Sequence, residues 1–537
     1  MMTSLVARRT EDGWEASLSG LASSEAPPLP QASLAGRAKA WELAAELGRT
    51  RSLWDMEYQK AALGSPEIAL GYADLLAEGC EASSDRQHSI AVPAAYASAR
   101  AANRELASRG LAGSRLPVAQ VALDRLRYLA AALGGAASLA IYVLTVGRRM
   151  GETARPESGD TAFALHGERS TRTQHLLRTG IAEARPSCIF VVGRLRAPLA
   201  AVRSDWSSIS NASVPPLVHP FSALAALRAV PAMLRLLTEG WRRAPAQHYL
   251  PVLREHVAVV FRVLLGATMR EWWKTQGVPF KTVIFGHTGT ADASALEAAM
   301  QATGSRTIHA VHGLATGPNF TAFSTAAWFR CGFDAEQYAK LGLYGACHVQ
   351  EAPAPSPVRG SDGIYLLTNL AHPMNPGFVA RGPQDEIALL RLVAAASREL
   401  CAERQRLVWR PHPVIRRLPA EVSQQIRDEA RRLGFEEQDH REPMAPAAAR
   451  ARWVITSPST TTIDLLSQGT LCVVVDVQKS ALDAAPAQFP IPAGERALAA
   501  LLRELDADAC YSARFTRVWK SVRPALPLNL SELHRRS

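Results

Sequence analysis

The chain has 537 residues, 47% of them hydrophobic and 20% charged, with a formal net charge of +11. That composition excludes an intrinsically disordered chain, and the length exceeds what one hydrophobic core serves, so at least two domains are expected. The seven cysteines, Cys80, Cys188, Cys331, Cys347, Cys401, Cys472 and Cys510, form no CxxC pair, which points to neither a zinc site nor a disulfide framework and fits a reducing cytoplasm.

The opening, MMTSLVARRTEDGWEASL, carries charges within its first ten residues and lacks an apolar core, so it does not read as a signal peptide. Residues 1–115 are mostly Ala, Leu, Glu and Arg at helical spacing and predict an N-terminal helical subdomain with no catalytic pattern. The stretch YLAAALGGAASLAIYVLTVG (128–147) is uncharged and imitates a membrane span. Gly134-Gly135 splits it, and the expected reading is helix, turn and then a buried strand at 139–147.

From there short apolar runs alternate with helical stretches. Strands are expected in LAIYVLTVG (139–147), SCIFVVGR (187–194), KTVIFGHTG (281–289) and RTIHAVHG (306–313). A second set follows: GIYLLTNLAHP (363–373), QRLVWRPHP (405–413), ARWVITSPS (451–459) and TLCVVVDV (470–477). The Pro- and Gly-containing segment 351–362 separates the two sets as a linker. Nearly continuous apolar strands alternating with helices predict parallel sheets covered on both faces. The fold class is therefore α/β: two facing Rossmann-like domains, 116–350 and 363–510, after the helical extension. The basic tail 511–537 interleaves Arg514, Arg517, Lys520 and Arg523 with Phe515, Val518, Trp519 and Val522. It either lies on an anionic membrane surface or packs back onto the body. In open α/β sheets ligands bind beyond the carboxyl ends of the strands, and the unusual motifs sit at such ends.

In the first set, His287 and Asp292 follow one strand and His312-Gly313 follows the next. An imidazole or a carboxylate there can deprotonate an acceptor hydroxyl, and a carboxylate can act as a nucleophile. Asp292 also suits a plain helix cap. In the second set, TNLAHPMNPG places Asn369, His372 and Asn375 after the first strand, as a cleft lining or an ordinary turn. Arg410-Pro411-His412-Pro413 is a strand end stiffened by proline, which presents a histidine able to donate to a phosphate oxygen. The turn Ser457-Pro458-Ser459-Thr460-Thr461-Thr462 runs into a short helix containing Asp464. Hydroxyls and backbone N–H groups gathered at a helix start suit an anion, and Asp464 suits the helix end or a ribose. Both motifs are expected on neighbouring strands, sharing a diphosphate or monophosphate leaving group.

A strand-end HP pair followed by a Ser/Thr-rich turn resembles GT-B glycosyltransferases that use CMP-activated sugars: bacterial sialyl- and polysialyltransferases, and the Kdo transferases of capsule and O-antigen assembly. The likeness spans roughly residues 280–480 and rests on motifs and spacing. It implies that His412, Pro413, Ser457, Ser459, Thr460 and Thr461 bind the donor nucleotide, with Arg410 and Asp464 beside them. It implies an N-terminal acceptor domain whose base or nucleophile is Asp292, His287 or His312. No redox cofactor motif and no acidic metal motif stands out, so a metal-independent transfer is expected, with the CMP-sugar as donor substrate. The implied partners are that donor and a glycan or lipid-linked glycan acceptor, in the cytoplasm or on the inner face of the cytoplasmic membrane; nucleic acid is not among them. CDP-glycerol-dependent glycerophosphotransferases carry a similar turn and histidine, and a non-catalytic scaffold for polysaccharide assembly is the third reading.

Overall fold

The computed structural model describes residues 2–10, 13–20, 87–93, 118–150, 159–167, 176–192, 198–243, 253–276, 280–286, 291–311, 324–341, 344–368, 383–400, 405–439, 442–477, 485 and 488–526. Its first elements amend the helical reading of residues 1–115. Strands β1 (Met2–Thr10), β2 (Gly13–Gly20) and β3 (Gln87–Pro93) form an antiparallel sheet in the order β2-β1-β3. The reason lies in the alternation Trp14-Glu-Ala16-Ser-Leu18-Ser, which has the period of a strand, and in pairing as local as Thr10 opposite Gly13.

A second correction concerns residues 128–147. They belong to one helix, α1 (Val118–Met150), with no strand in it. Gly134-Gly135 is a close-packing site instead of a turn. A Cβ on Gly135 would stand 2.5 Å from Val260 Cγ1, and one on Gly134 would stand 2.9 Å from Val257 Cγ2. The sheet begins instead at β4 (Gly159–His166), followed by β5 (Cys188–Val192) and β6 (Leu217–Val218). Helices α2 (Ala223–Arg228), α3 (Val230–Arg243) and α4 (Leu253–Gln276) come next; α4 carries Val257 and Val260. Strand β7 (Phe280–Phe285), helix α5 (Ala291–Ala302), strands β8 (Arg306–Ala310) and β9 (Ala326–Trp328), helix α6 (Gly332–Leu341) and strand β10 (Ala346–His348) complete the domain.

All seven strands from β4 to β10 are parallel, in the order β10-β9-β8-β7-β4-β5-β6. Every residue of β5 is buried, as a strand covered on both faces requires. The chain builds outward from β4 to β6, then returns and builds the other way from β7. The switch point lies between β4 and β7.

The second sheet has five parallel strands: β11 (Ile364–Leu367), β12 (Leu407–Arg410), β13 (Phe435–Glu437), β14 (Trp453–Thr456) and β15 (Cys472–Val474). Their order is β13-β12-β11-β14-β15, so the switch point lies between β11 and β14. Helix α7 (Pro383–Leu400) covers this sheet, and the short helix α8 (Thr461–Leu466) follows β14. The two parallel sheets form the expected pair of Rossmann-like domains.

The last described helix, α9 (Asp508–Val522), decides between the two readings for the described part of the basic tail. Phe515, Val518, Trp519 and Val522 are buried in the C-terminal core, so this apolar face is spent on packing. Arg523 then takes a left-handed conformation (φ 51°) and the chain crosses to the first domain. Ala525 N donates to Arg330 O at 2.7 Å, and Ala352 N donates to Pro524 O at 2.8 Å. Residues 351–362 hold no helix or strand but are tied to the second domain. The Tyr511 hydroxyl donates to Val358 O at 2.9 Å, and Gly360 N donates to Ala451 O at 3.0 Å.

Candidate functional site

The hydroxyl-rich turn lies at the carboxyl end of β14, on the switch point of the second sheet. Ser457 N donates to Leu367 O at 3.1 Å, which ties the turn to the end of β11. Thr456 and Ser457 are buried, whereas Ser459, Thr460 and Thr461 are half-buried at the sheet edge. Within the turn, Ser459 Oγ accepts from Thr461 N at 3.2 Å and donates to Thr461 Oγ1 at 3.0 Å. The Thr462 hydroxyl donates to Ser459 O at 2.8 Å. The backbone N–H groups of Ser459 and Thr460 and the Thr460 hydroxyl make no hydrogen bond to another described residue. The turn therefore presents donors at the place where an open α/β sheet binds its ligand. Helix α8 is only six residues long, so these local donors matter more than a helix dipole.

His412 is exposed and leaves the carboxyl end of β12. Its carbonyl accepts from Ile415 N at 3.0 Å, closing the 3-10 turn Pro413–Arg417. Pro411 is buried beneath it and Pro413 is exposed. The expectation of neighbouring strands is corrected here: β11 stands between β12 and β14. Two strand spacings put the two motifs roughly 10 Å apart on the same edge. A ligand touching both must span β11, as a nucleoside phosphate can and a lone phosphate cannot.

Arg410 is occupied by its own domain. Its Nη1 donates to Glu442 O at 2.8 Å and to Gln438 Oε1 at 3.3 Å, and the Tyr365 hydroxyl donates to the same Gln438 oxygen. Burial raises the Tyr365 phenol pKa, so it stays protonated as that donor. Asp464 also faces protein. It pairs with Arg330, which follows β9 of the first domain, and both side chains are about one-third exposed, at 33% and 28%. This pair and the Pro524–Leu526 crossing join the domains beside the turn.

Asp292 is the second residue of α5, the helix that follows β7 at the first sheet's switch point. Its side chain, and all of His287, His312, Asn369, His372 and Asn375, lie outside the described residues. Three buried polar groups went unnoticed in the sequence. Trp409 Nε1 donates to Thr368 Oγ1 at 3.0 Å and to Glu386 Oε1 at 3.2 Å, at the end of β11. Thr368 opens the TNLAHP motif, which was a usable signal; Glu386 sits in an ordinary amphipathic stretch with none.

No protein-family model matches the chain, and no curated protein matches it. Solved structures that resemble it include a Staphylococcus aureus MnaA–UDP co-structure, at 12% identity and a TM-score of 0.37, covering 70% of this chain and 94% of that one. The Anabaena Alr3699/HepE complex with UDP aligns at 8% identity and a TM-score of 0.41, over 70% of this chain and 98% of that one. Acinetobacter baumannii MurG aligns at 11% identity and a TM-score of 0.37, over 71% and 100%. Likeness at this level says nothing of donor or reaction.

Proposed function

We propose that the chain is a metal-independent glycosyltransferase that moves an acid sugar such as Kdo from a CMP-activated donor to a surface-polysaccharide or glycolipid acceptor. The observation that carries this reading is the donor-rich turn Ser459-Thr460 at the switch point between β11 and β14. A CMP leaving group concentrates its new charge on one phosphate. Backbone N–H groups and hydroxyls already oriented at that spot stabilise the charge as it develops. His412, on the far side of β11, faces the nucleotide or the second phosphate oxygen as a further donor. The choice of CMP rests on the likeness of the HP pair and Ser/Thr turn to the CMP-sugar transferases.

Transfer requires a group opposite the donor. Asp292, at the start of α5, is the first candidate for the base that takes the acceptor proton, or for a nucleophile in a two-step retaining transfer; His287 and His312 are the alternatives. The test is acceptor-dependent release of CMP from CMP-Kdo or CMP-sialic acid, with chelator present. Release that falls at least tenfold in His412→Ala and in Asp292→Asn supports the reading. Transfer of glycerophosphate from CDP-glycerol with no release of CMP from either sugar donor would replace it.

A further inference from the structure

Helix α1 has an outer face whose apolar side chains are exposed. Tyr128, Ala131, Leu139 and Val146 are buried in the domain core, with the Gly134-Gly135 pair against α4. At about 3.6 residues per turn the opposite face holds Leu126, Leu133, Ile141 and Leu144. Each of these four is more than 60% exposed. Leu227 on α2 and Leu234 on α3, 70% and 60% exposed, extend the surface. The helices are joined side by side: the Tyr128 hydroxyl donates to Leu237 O at 2.8 Å, and Trp241 meets Tyr128 edge-on at 6.4 Å between ring centroids. An apolar face from Leu126 to Leu144, continued on the neighbouring helices, marks a docking surface.

The rim identifies the occupant. Arg125, Arg127, Arg228, Arg235 and Arg242 are all exposed on these three helices, and arginines outnumber Asp124 and Glu239, their acidic residues. Arg125 stands over the ring of Trp241 at 5.7 Å, at the edge of the leucine face. Leucines bordered by arginine and tryptophan suit a layer with a hydrocarbon interior and an anionic surface. A second copy of the chain would set like charges against one another. The stretch Arg125–Val146 is long and apolar enough to cross a bilayer, and most of it is not buried inside the protein. The glycine pair packs one face of α1 against α4, which favours a helix lying along an interface over one crossing it.

We propose that the face formed by α1, α2 and α3 seats the first domain on an anionic lipid bilayer, with α1 in the plane of the interface. The inference does not depend on the donor. The experiment is flotation of the full chain with vesicles of phosphatidylglycerol and phosphatidylethanolamine, and with phosphatidylcholine alone, at low and high salt. The wild-type chain is expected to float with the anionic vesicles and less well in high salt. Leu126→Glu/Leu133→Glu/Ile141→Glu is expected to lose at least about tenfold in partitioning while keeping the wild-type thermal unfolding midpoint in solution. Arg228→Gln/Arg235→Gln adds no charge to the apolar face and tests the rim should the first variant not fold; it is expected to flatten the salt dependence. A wild-type chain that stays in the aqueous fraction overturns the proposal, as do glutamate variants that float like wild type. Sedimentation equilibrium showing a dimer that the glutamate variant abolishes would give the face to a second copy and overturn it as well.

Discussion

Two substitutions in the turn separate anion binding from local stability. Ser459 Oγ serves the turn itself, accepting from Thr461 N at 3.2 Å and donating to Thr461 Oγ1 at 3.0 Å. Ser459→Ala should therefore cost roughly 1 kcal/mol of stability in addition to any effect on binding. The Thr460 hydroxyl makes no hydrogen bond to another described residue, so Thr460→Val should change stability by less than about 0.5 kcal/mol. Against a phosphate oxygen each hydroxyl contributes about 1.5–3 kcal/mol, a weakening of roughly ten- to hundredfold in Kd when removed. A nucleotide at about 100 times its Kd stabilises the folded chain by about 2.7 kcal/mol, and a tenfold weaker variant loses about 1.3 kcal/mol of that. Titration calorimetry with CMP, paired with thermal unfolding with and without CMP, reads both effects. Thr460→Val is expected to melt like wild type alone and to bind at least tenfold more weakly. A Thr460→Val chain that binds CMP as tightly as wild type would refute the anion site.

Gly135→Val should destabilise by about 1–3 kcal/mol, because its Cβ position stands 2.5 Å from Val260 Cγ1; urea unfolding measures it, and a neutral result would mean that α1 and α4 do not pack as described. The Arg330–Asp464 pair joins the domains at about one-third exposure, so a double-mutant cycle with alanine should give a coupling of about 1 kcal/mol or less. Glu429 has its carboxyl pKa lowered from 4.5 to about 2 by hydrogen bonds from Arg432 and Arg391. A depressed carboxylate contributes stability that is complete above pH 4.5 and lost as pH falls toward 2. Glu429→Gln should flatten unfolding free energy across that window, and unchanged slopes would contradict it.

The second domain was the more legible. Its strands at 364–367, 407–410, 453–456 and 472–474 are short apolar runs cut by turn residues, and the sequence marks them clearly. β13 has three residues, two of them glutamates, and offers no such signal. In the first domain SLAIYVLTV looked like a buried strand because an unbroken apolar run has no period to read, and Gly134-Gly135 looked like a turn. Only the packing of α4 shows why glycine is there. The Ser/Thr turn was legible because too many hydroxyls for a cap stand in one place. Its distance from His412 was not, since strand order depends on contacts far apart in sequence. The pairing of Asp464 with Arg330, separated by 134 residues, was hidden for the same reason.

Calorimetric titration of the full-length chain with CMP, CDP, UMP, UDP, GDP and ADP, repeated on His412→Ala, bears most directly on a CMP-sugar site at the β11–β14 switch point. CMP binding that exceeds the others and weakens at least tenfold in the variant is the expected result. A preference for UDP, GDP or ADP, or no binding of any nucleotide, would contradict it.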